Sequence, residues 1–205
     1  MPNISTLLSL DTLLYIAIVI YSIILHEIAH GWVALKCGDV TAKYAGRLTL
    51  NPIPHLDIFG SIILPIVSIM NGWGVFGWAK GVPVNMYALN SSWKEFAVSV
   101  AGIATNLLIA TVFLLLVKFG LAGETYQKLF LNIAIVNIGL GFFNLIPIPP
   151  FDGMQILRAF FPVLKHRFQS FEHNPLSMIL AILVAGQIFG YFYKDLVTLI
   201  LNIFF

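Results

Sequence analysis

Charge is what this sequence has least of. Only 10% of its 205 residues are Asp, Glu, Lys or Arg, against roughly 25% in an ordinary soluble domain. Cysteine is nearly absent too: Cys37 stands alone, which excludes an internal disulfide and leaves an inert buried thiol as its expected role. The net charge of +2 and isoelectric point near 8.7 are too mild for a nucleic-acid partner, and the basic residues are scattered. There is no internal repeat, no low-complexity tract and no linker long enough to hide a second domain, so residues 1–205 read as one membrane-embedded domain. The stretch from Met1 to Leu8 has neither Lys nor Arg and no small-residue cleavage site. It does not read as a signal peptide, and the first apolar run is expected to be retained.

What is there is apolar. Hydrophobic residues make up 59% of the chain and the mean hydropathy is +0.92. Runs at 7–25, 96–117, 129–148 and 176–193 approach the roughly 20 residues that a spanning helix needs. The expected fold is an all-α polytopic membrane protein. Its last helix should cover about 176–203, with an interruption where Lys194-Asp195 breaks the apolar run.

The few basic residues indicate topology. Residues 1–12 carry none, whereas Lys36, Lys43 and Arg47 follow the first run, and an excess of Lys and Arg marks the cytoplasmic side. Lys94 precedes the second run; Arg158, Lys165 and Arg167 follow the third. If residues 57 and 94 are both inside, the chain between them enters the membrane and returns, giving a re-entrant hairpin over about 58–90. Lys80 is then also inside, and only Lys118, Lys128 and Lys194 of the 11 basic residues lie outside. The reading is a multi-pass protein of the cell membrane with its N-terminus outside. Between the first run and the hairpin, Gly46 to Leu50 alternates like a strand, and Pro52 and Pro54 then make a turn.

The first run leads into His26-Glu27-Ile28-Ala29-His30. Helical residues four apart share a face, so both imidazoles can bind one metal ion while Glu27 lies beside them as a base. Such a pentapeptide also occurs on ordinary helix ends, but here it continues an apolar run, and ionisable groups at membrane depth are functional by default. A catalytic zinc usually takes three protein ligands and leaves a fourth position for water. Asp152 is the carboxylate at suitable depth on another segment, in Asn144-Leu-Ile-Pro-Ile-Pro-Pro-Phe-Asp-Gly153. The prolines interrupt a helix there, and backbone groups freed inside a membrane are expected to face a site. Asp152 is equally suited to cap the helix that follows, and both roles can coexist. The cofactor expected is one zinc ion per chain.

Other polar residues carry weaker signals. Asn144 can donate its amide to an oxyanion or bond to a neighbouring helix. Asn106, among the small residues Ala101, Gly102 and Ala104, reads as a hydrogen bond between close-packed helices. His55 can approach the metal from the second shell or in a resting state, or simply bond to Asp57 in its turn.

These residues together resemble the site-2 protease family of intramembrane zinc metalloproteases. The resemblance rests on His26-Glu27-Ile28-Ala29-His30, on Ala101-Gly102-Ile103-Ala104-Thr105-Asn106 and on Phe142-Phe143-Asn144-Leu145-Ile146-Pro147 through Phe151-Asp152-Gly153. It covers about residues 10–160. Residues 46–85 look like the small prokaryotic branch without PDZ or CBS domains. Ile103 and Phe151 depart from the family's usual proline and leucine. The resemblance implies a three-helix core formed by the runs that contain 26, 102 and 152, with His26, His30 and Asp152 as zinc ligands and Glu27 as the catalytic base. It also implies an intramembrane metalloendopeptidase acting on transmembrane proteins, with an upstream site-1 protease as a partner that no residue here specifies.

Such an enzyme must unwind its helical substrate, and a free backbone edge near Gly46–Leu50 or Phe76–Val84 could hold the extended chain. The alternative is a non-proteolytic membrane protein that keeps the zinc site, either a holdase or a metal carrier. A carrier needs a polar path across the bilayer, whereas Glu27 and Asp152, the acidic residues at depth, belong to one cluster near the cytoplasmic face.

Overall fold

The computed structural model describes residues 10–63, 79–161, 163–164 and 174–205. Among them there are helices and turns and no strand. Helix α1 spans Leu10–Cys37, and a short α2 (Thr41–Tyr44) follows. After a 3-10 turn at Ile53–His55 and a π-helical turn at Ile58–Ile63, an irregular segment described from residue 79 leads into the short α3 (Met86–Leu89). Then come α4 (Ser92–Lys118), α5 (Gly123–Asn144), α6 (Asp152–Phe160) and α7 (Pro175–Phe204). Helices α1, α4, α5 and α7 are long and apolar enough to cross a membrane. The fold is the expected all-α class. The tip of the expected re-entrant hairpin, 64–78, lies outside the described residues.

Each helix end has a chemical cause. Gly38 ends α1 with φ +108°, which lets Asp39 N–H reach the Ala34 carbonyl (2.9 Å) and Gly38 N–H reach that of Leu35 (3.2 Å). This left-handed glycine cap satisfies carbonyls that the helix leaves open. Gly46 does the same for α2 at φ +65°, with Arg47 N–H on the Ala42 carbonyl at 3.0 Å.

The expected strand at Gly46–Leu50 is therefore absent. The Arg47 amide is committed backwards to α2, and the Thr49 hydroxyl and Asn51 carboxamide accept from the amides two residues on. Local side-chain bonds of this kind replace a ladder.

Helix α4 is the central element. Its Ala110 and Leu114 form a core with Ala134 and Ile138 of α5, and Leu196, Val197, Ile200, Leu201 and Phe204 of α7 pack against it. That packing explains why Lys194-Asp195, which interrupts the apolar run, does not interrupt the helix expected over about 176–203. No proline or glycine follows Gly190, and the apolar tail gains contacts by staying helical, so α7 runs unbroken to Phe204. A second cluster of Ile146, Phe151, Ile182 and Ala185 joins α7 to the proline-rich turn. Gly153 is needed in that turn, since a Cβ there would collide with the Leu145 carbonyl.

Candidate metal centre

Three side chains from two distant segments converge. His26 and His30 project from one face of α1, and Asp152 opens α6 after the turn through Pro147, Pro149 and Pro150. Their Nε2 atoms lie 3.0 Å apart, and Asp152 Oδ2 lies 3.1 Å from His26 Nε2 and 3.2 Å from His30 Nε2. Both histidines are buried. Phe151, not Asp152, occupies the cap of α6, and no side chain caps that helix. The carboxylate is free for the histidines.

The set fits zinc. Ligand atoms at about 2.0–2.1 Å in a tetrahedron stand roughly 3.3 Å from one another, and the three separations here fall just below that value. Asp152 Oδ2 is buried without a hydrogen-bonding partner even though two imidazole nitrogens are near it. His30 Nδ1 donates to the Val98 carbonyl at 2.7 Å. A backbone carbonyl only accepts, so this contact puts the proton of a neutral His30 on Nδ1 and leaves Nε2 as a bare lone pair. A bare nitrogen, a second imidazole and a carboxylate oxygen near 3 Å are a donor set that can share one cation. Nitrogen and oxygen donors in this number suit zinc.

The second helix contributes by having nothing in the way. Gly102 of α4 faces the two imidazoles, and a Cβ at that position would overlap both. Four residues on, Asn106 places Oδ1 2.6 Å from His26 Nδ1. Asn106 was legible as a bond between helices, which it also is, but not as a partner of the metal cluster.

Glu27 stands beside the cluster, where its Oε2 accepts the backbone N–H of Val82 at 2.7 Å. The irregular segment at residues 79–85 thus lies against α1 like a strap. Gly31 makes room for it: a Cβ there would press on Leu48 and on Val82. Lys80 is held through both backbone groups, its N–H on the His55 carbonyl at 2.9 Å and its carbonyl under the Arg47 guanidinium. Asn85 N–H is held by Asp39 Oδ2 at 2.7 Å. The other Asp39 oxygen accepts from the Thr41 amide and hydroxyl. Burial of Asp39 pushes its carboxyl upward, but these bonds outweigh it and hold the group below the usual carboxylate range.

Two expected residues lie elsewhere. His55 is buried, with Nε2 on the Thr49 carbonyl at 2.9 Å and Nδ1 without a partner. It does not join the converging ligand atoms and does not bond to Asp57, whose Oδ1 instead accepts from Gly60 N–H at 2.7 Å. Its position serves the strap, through the carbonyl that binds Lys80. Asn144 donates its amide back to the Leu140 carbonyl of its own helix at 2.9 Å, neither across to another helix nor into the cluster. Cys37 is a free, half-buried thiol whose carbonyl accepts from Lys94 Nζ at 3.0 Å.

Apolar helices around two histidines, an aspartate and a flanking glutamate define a membrane-embedded, metal-dependent hydrolase. The comparisons give the family. The profile described as Peptidase family M50 matches residues 120–186, the stretch that carries Asp152. The chain is 41% identical over 165 residues to the Bacillus subtilis protein named "Putative zinc metalloprotease YwhC", a match covering 76% of this chain and 72% of that one. Rip2 of Mycolicibacterium smegmatis, named in the same terms, is 31% identical over 71% of this chain and 56% of its own length. For Rip2 of Mycobacterium tuberculosis strain H37Rv the identity is 27%, over 84% and 67%. No solved structure matches. The chain belongs to peptidase family M50, the site-2 proteases; it is a zinc metalloprotease, and zinc is its cofactor.

Proposed function

We propose that this enzyme hydrolyses peptide bonds within or beside the transmembrane segments of membrane-tethered proteins, with His26, His30 and Asp152 holding its zinc and Glu27 as the base. The observation that carries this reading is the depth at which the ligand atoms meet. His26 lies 13 residues into the apolar span that starts at Leu13, about 20 Å along a helix that rises 1.5 Å per residue. The hydrocarbon core is roughly 30 Å thick. On that count the cluster falls within the thickness of the bilayer, which supports cleavage there.

Bound zinc supplies Lewis acidity, making water acidic enough to ionise near neutral pH and polarising the scissile carbonyl. Glu27 takes the proton from the attacking water and returns it to the leaving amine. Its Oε2 is engaged by Val82, so the transfer falls to Oε1. The substrate helix must unwind, because its carbonyls are tied up in hydrogen bonds. The strap at 79–85 is the non-helical backbone beside Glu27 against which an unwound segment can lie. Asn144 spends one amide N–H on the Leu140 carbonyl and keeps a second with which it can donate to an oxyanion. The basic residues favour the cell membrane with the N-terminus outside and the cluster toward the cytoplasmic face.

The test is zinc content and cleavage of a single-span stub, measured on the same purified preparations. Glu27→Gln keeps size and polarity but accepts no proton, and should retain zinc while cleavage falls about 10²–10⁴-fold. His26→Ala and His30→Ala should lose both. Cleavage by Glu27→Gln at the parental rate, with zinc in place, removes Glu27 as the base.

A further inference from the structure

Asn106 is fully buried in α4, and its contact with His26 has a direction that its surroundings dictate. Asn137 of α5 places Nδ2 2.8 Å from the Ile133 carbonyl and 2.9 Å from Ser22 Oγ on α1. A backbone carbonyl can only accept, so the NH2 of Asn137 must lie on that side and its Oδ1 must face Asn106. Asn106 answers with Nδ2 at 2.8 Å, and its second N–H points at the Ser22 carbonyl at 3.5 Å, another pure acceptor. Only Oδ1 of Asn106 is left for the histidine. At 2.6 Å from that oxygen, His26 Nδ1 must be the donor.

We propose that Asn106 is a positioning residue for His26: polarised by the Ile133 carbonyl through Asn137 and by the Ser22 carbonyl directly, it fixes the imidazole as its Nδ1–H form and turns the Nε2 lone pair toward His30 and Asp152. The inference rests on reading His26 as a zinc ligand. The two histidines are then secured in different ways. His30 is oriented by the Val98 carbonyl, an acceptor that no side-chain substitution removes. His26 depends on a side-chain relay through three helices, so its orientation is open to mutation at a position that does not touch the metal. Outer partners of metal-bound histidines typically contribute 10–100-fold in metal affinity.

The test compares Asn106→Leu with Asn106→Asp in the full-length zinc-loaded protein, by chelator competition for zinc and by thermal unfolding. Both variants lose the donation to Asn137 and should lose thermal stability. Only Leu also loses the acceptor for His26 Nδ1. Asn106→Leu should therefore bind zinc about 10–100-fold more weakly, with Asn106→Asp close to the parent. Equal loss of zinc in both would overturn the proposal, leaving Asn106 a packing residue. Should neither variant fold, the parent labelled with 15N-histidine and stripped of zinc reports the tautomer directly. Nδ1-protonated His26 is expected, and Nε2-protonated His26 overturns the proposal. His26→Ala run alongside separates the two readings: if that variant keeps its zinc, the ligand assignment fails instead.

Discussion

Gly102 of α4 stands so close to His30 of α1 that a single added methyl group would overlap the imidazole. Alanine is the better helix former by about 1 kcal/mol, so Gly102→Ala should leave the helix intact or firmer. The methyl would push His26 and His30 away from Asp152. The expected outcome is a protein with parental helical content that has lost most of its zinc and at least about tenfold of its activity, as happens when ligand geometry is disturbed. Circular dichroism and elemental analysis on one sample check it, and full zinc with full activity would show that α4 can move away.

Part of this was legible in the residues alone. The four-residue spacing of His26 and His30 is a property of any helix, and a helix over 7–25 follows from hydropathy, so that half of the cluster needed no coordinates. Asp152 was legible because charge is so scarce at depth. Asn106 was not. Its place among small residues indicates close packing, but which atom of a facing helix its amide meets depends on the rotation of α1 against α4, and no periodicity encodes that. Gly46–Leu50 misled for a related reason. Alternation is a necessary property of a strand, yet a glycine that can adopt positive φ ends a helix just as readily, and here the Ala42 carbonyl was there to take the Arg47 amide. Lys194-Asp195 interrupts the apolar run but not the helix, which reaches Phe204 because the residues after it pack against α4 and α5.

Asp39 gives the strap a pH dependence with a definite sign. Its carboxyl is held below the usual range in the folded protein. Its contribution to stability is therefore complete above the unfolded value of about 4 and is lost as pH falls through the lower folded value. Asp39→Asn should unfold more easily at neutral pH by about 1–3 kcal/mol, the usual worth of hydrogen bonds to a charged group. That gap between parent and variant should stay constant down to about pH 4 and shrink below it. Denaturant unfolding in detergent across this range is the measurement, and a gap that widens on acidification contradicts the assignment.

The proposed orientation rests on the basic residues and is open to labelling. Cys37 is first replaced by serine, leaving no thiol. Single cysteines at position 3 and at the exposed position 124, where α5 begins, should then react in intact cells with an impermeant maleimide, and cysteines at 43 and 166 should react only after the membrane is opened. Labelling of position 43 from outside would invert the map and put the zinc cluster near the opposite face.

The contact between Val82 N–H and Glu27 Oε2 separates a role in holding the metal from a role in moving the proton. Val82→Pro deletes the N–H while leaving an apolar side chain over Gly31 of α1, and Pro83 already follows it. None of the three converging ligand atoms depends on that amide, so zinc content should be parental. Glu27, released from the strap, loses the bond that fixes one of its oxygens, and a base must be positioned within hydrogen-bond reach of the proton it takes. Activity should fall about tenfold, well short of the 10²–10⁴-fold expected when the base itself is removed. The split between kcat and KM tells how the strap acts. A fall in kcat alone assigns it to holding Glu27, whereas a rise in KM assigns it to binding the unwound substrate. Unchanged activity with zinc in place would mean that Glu27 is oriented by the rest of α1 and that the strap has no part in the reaction.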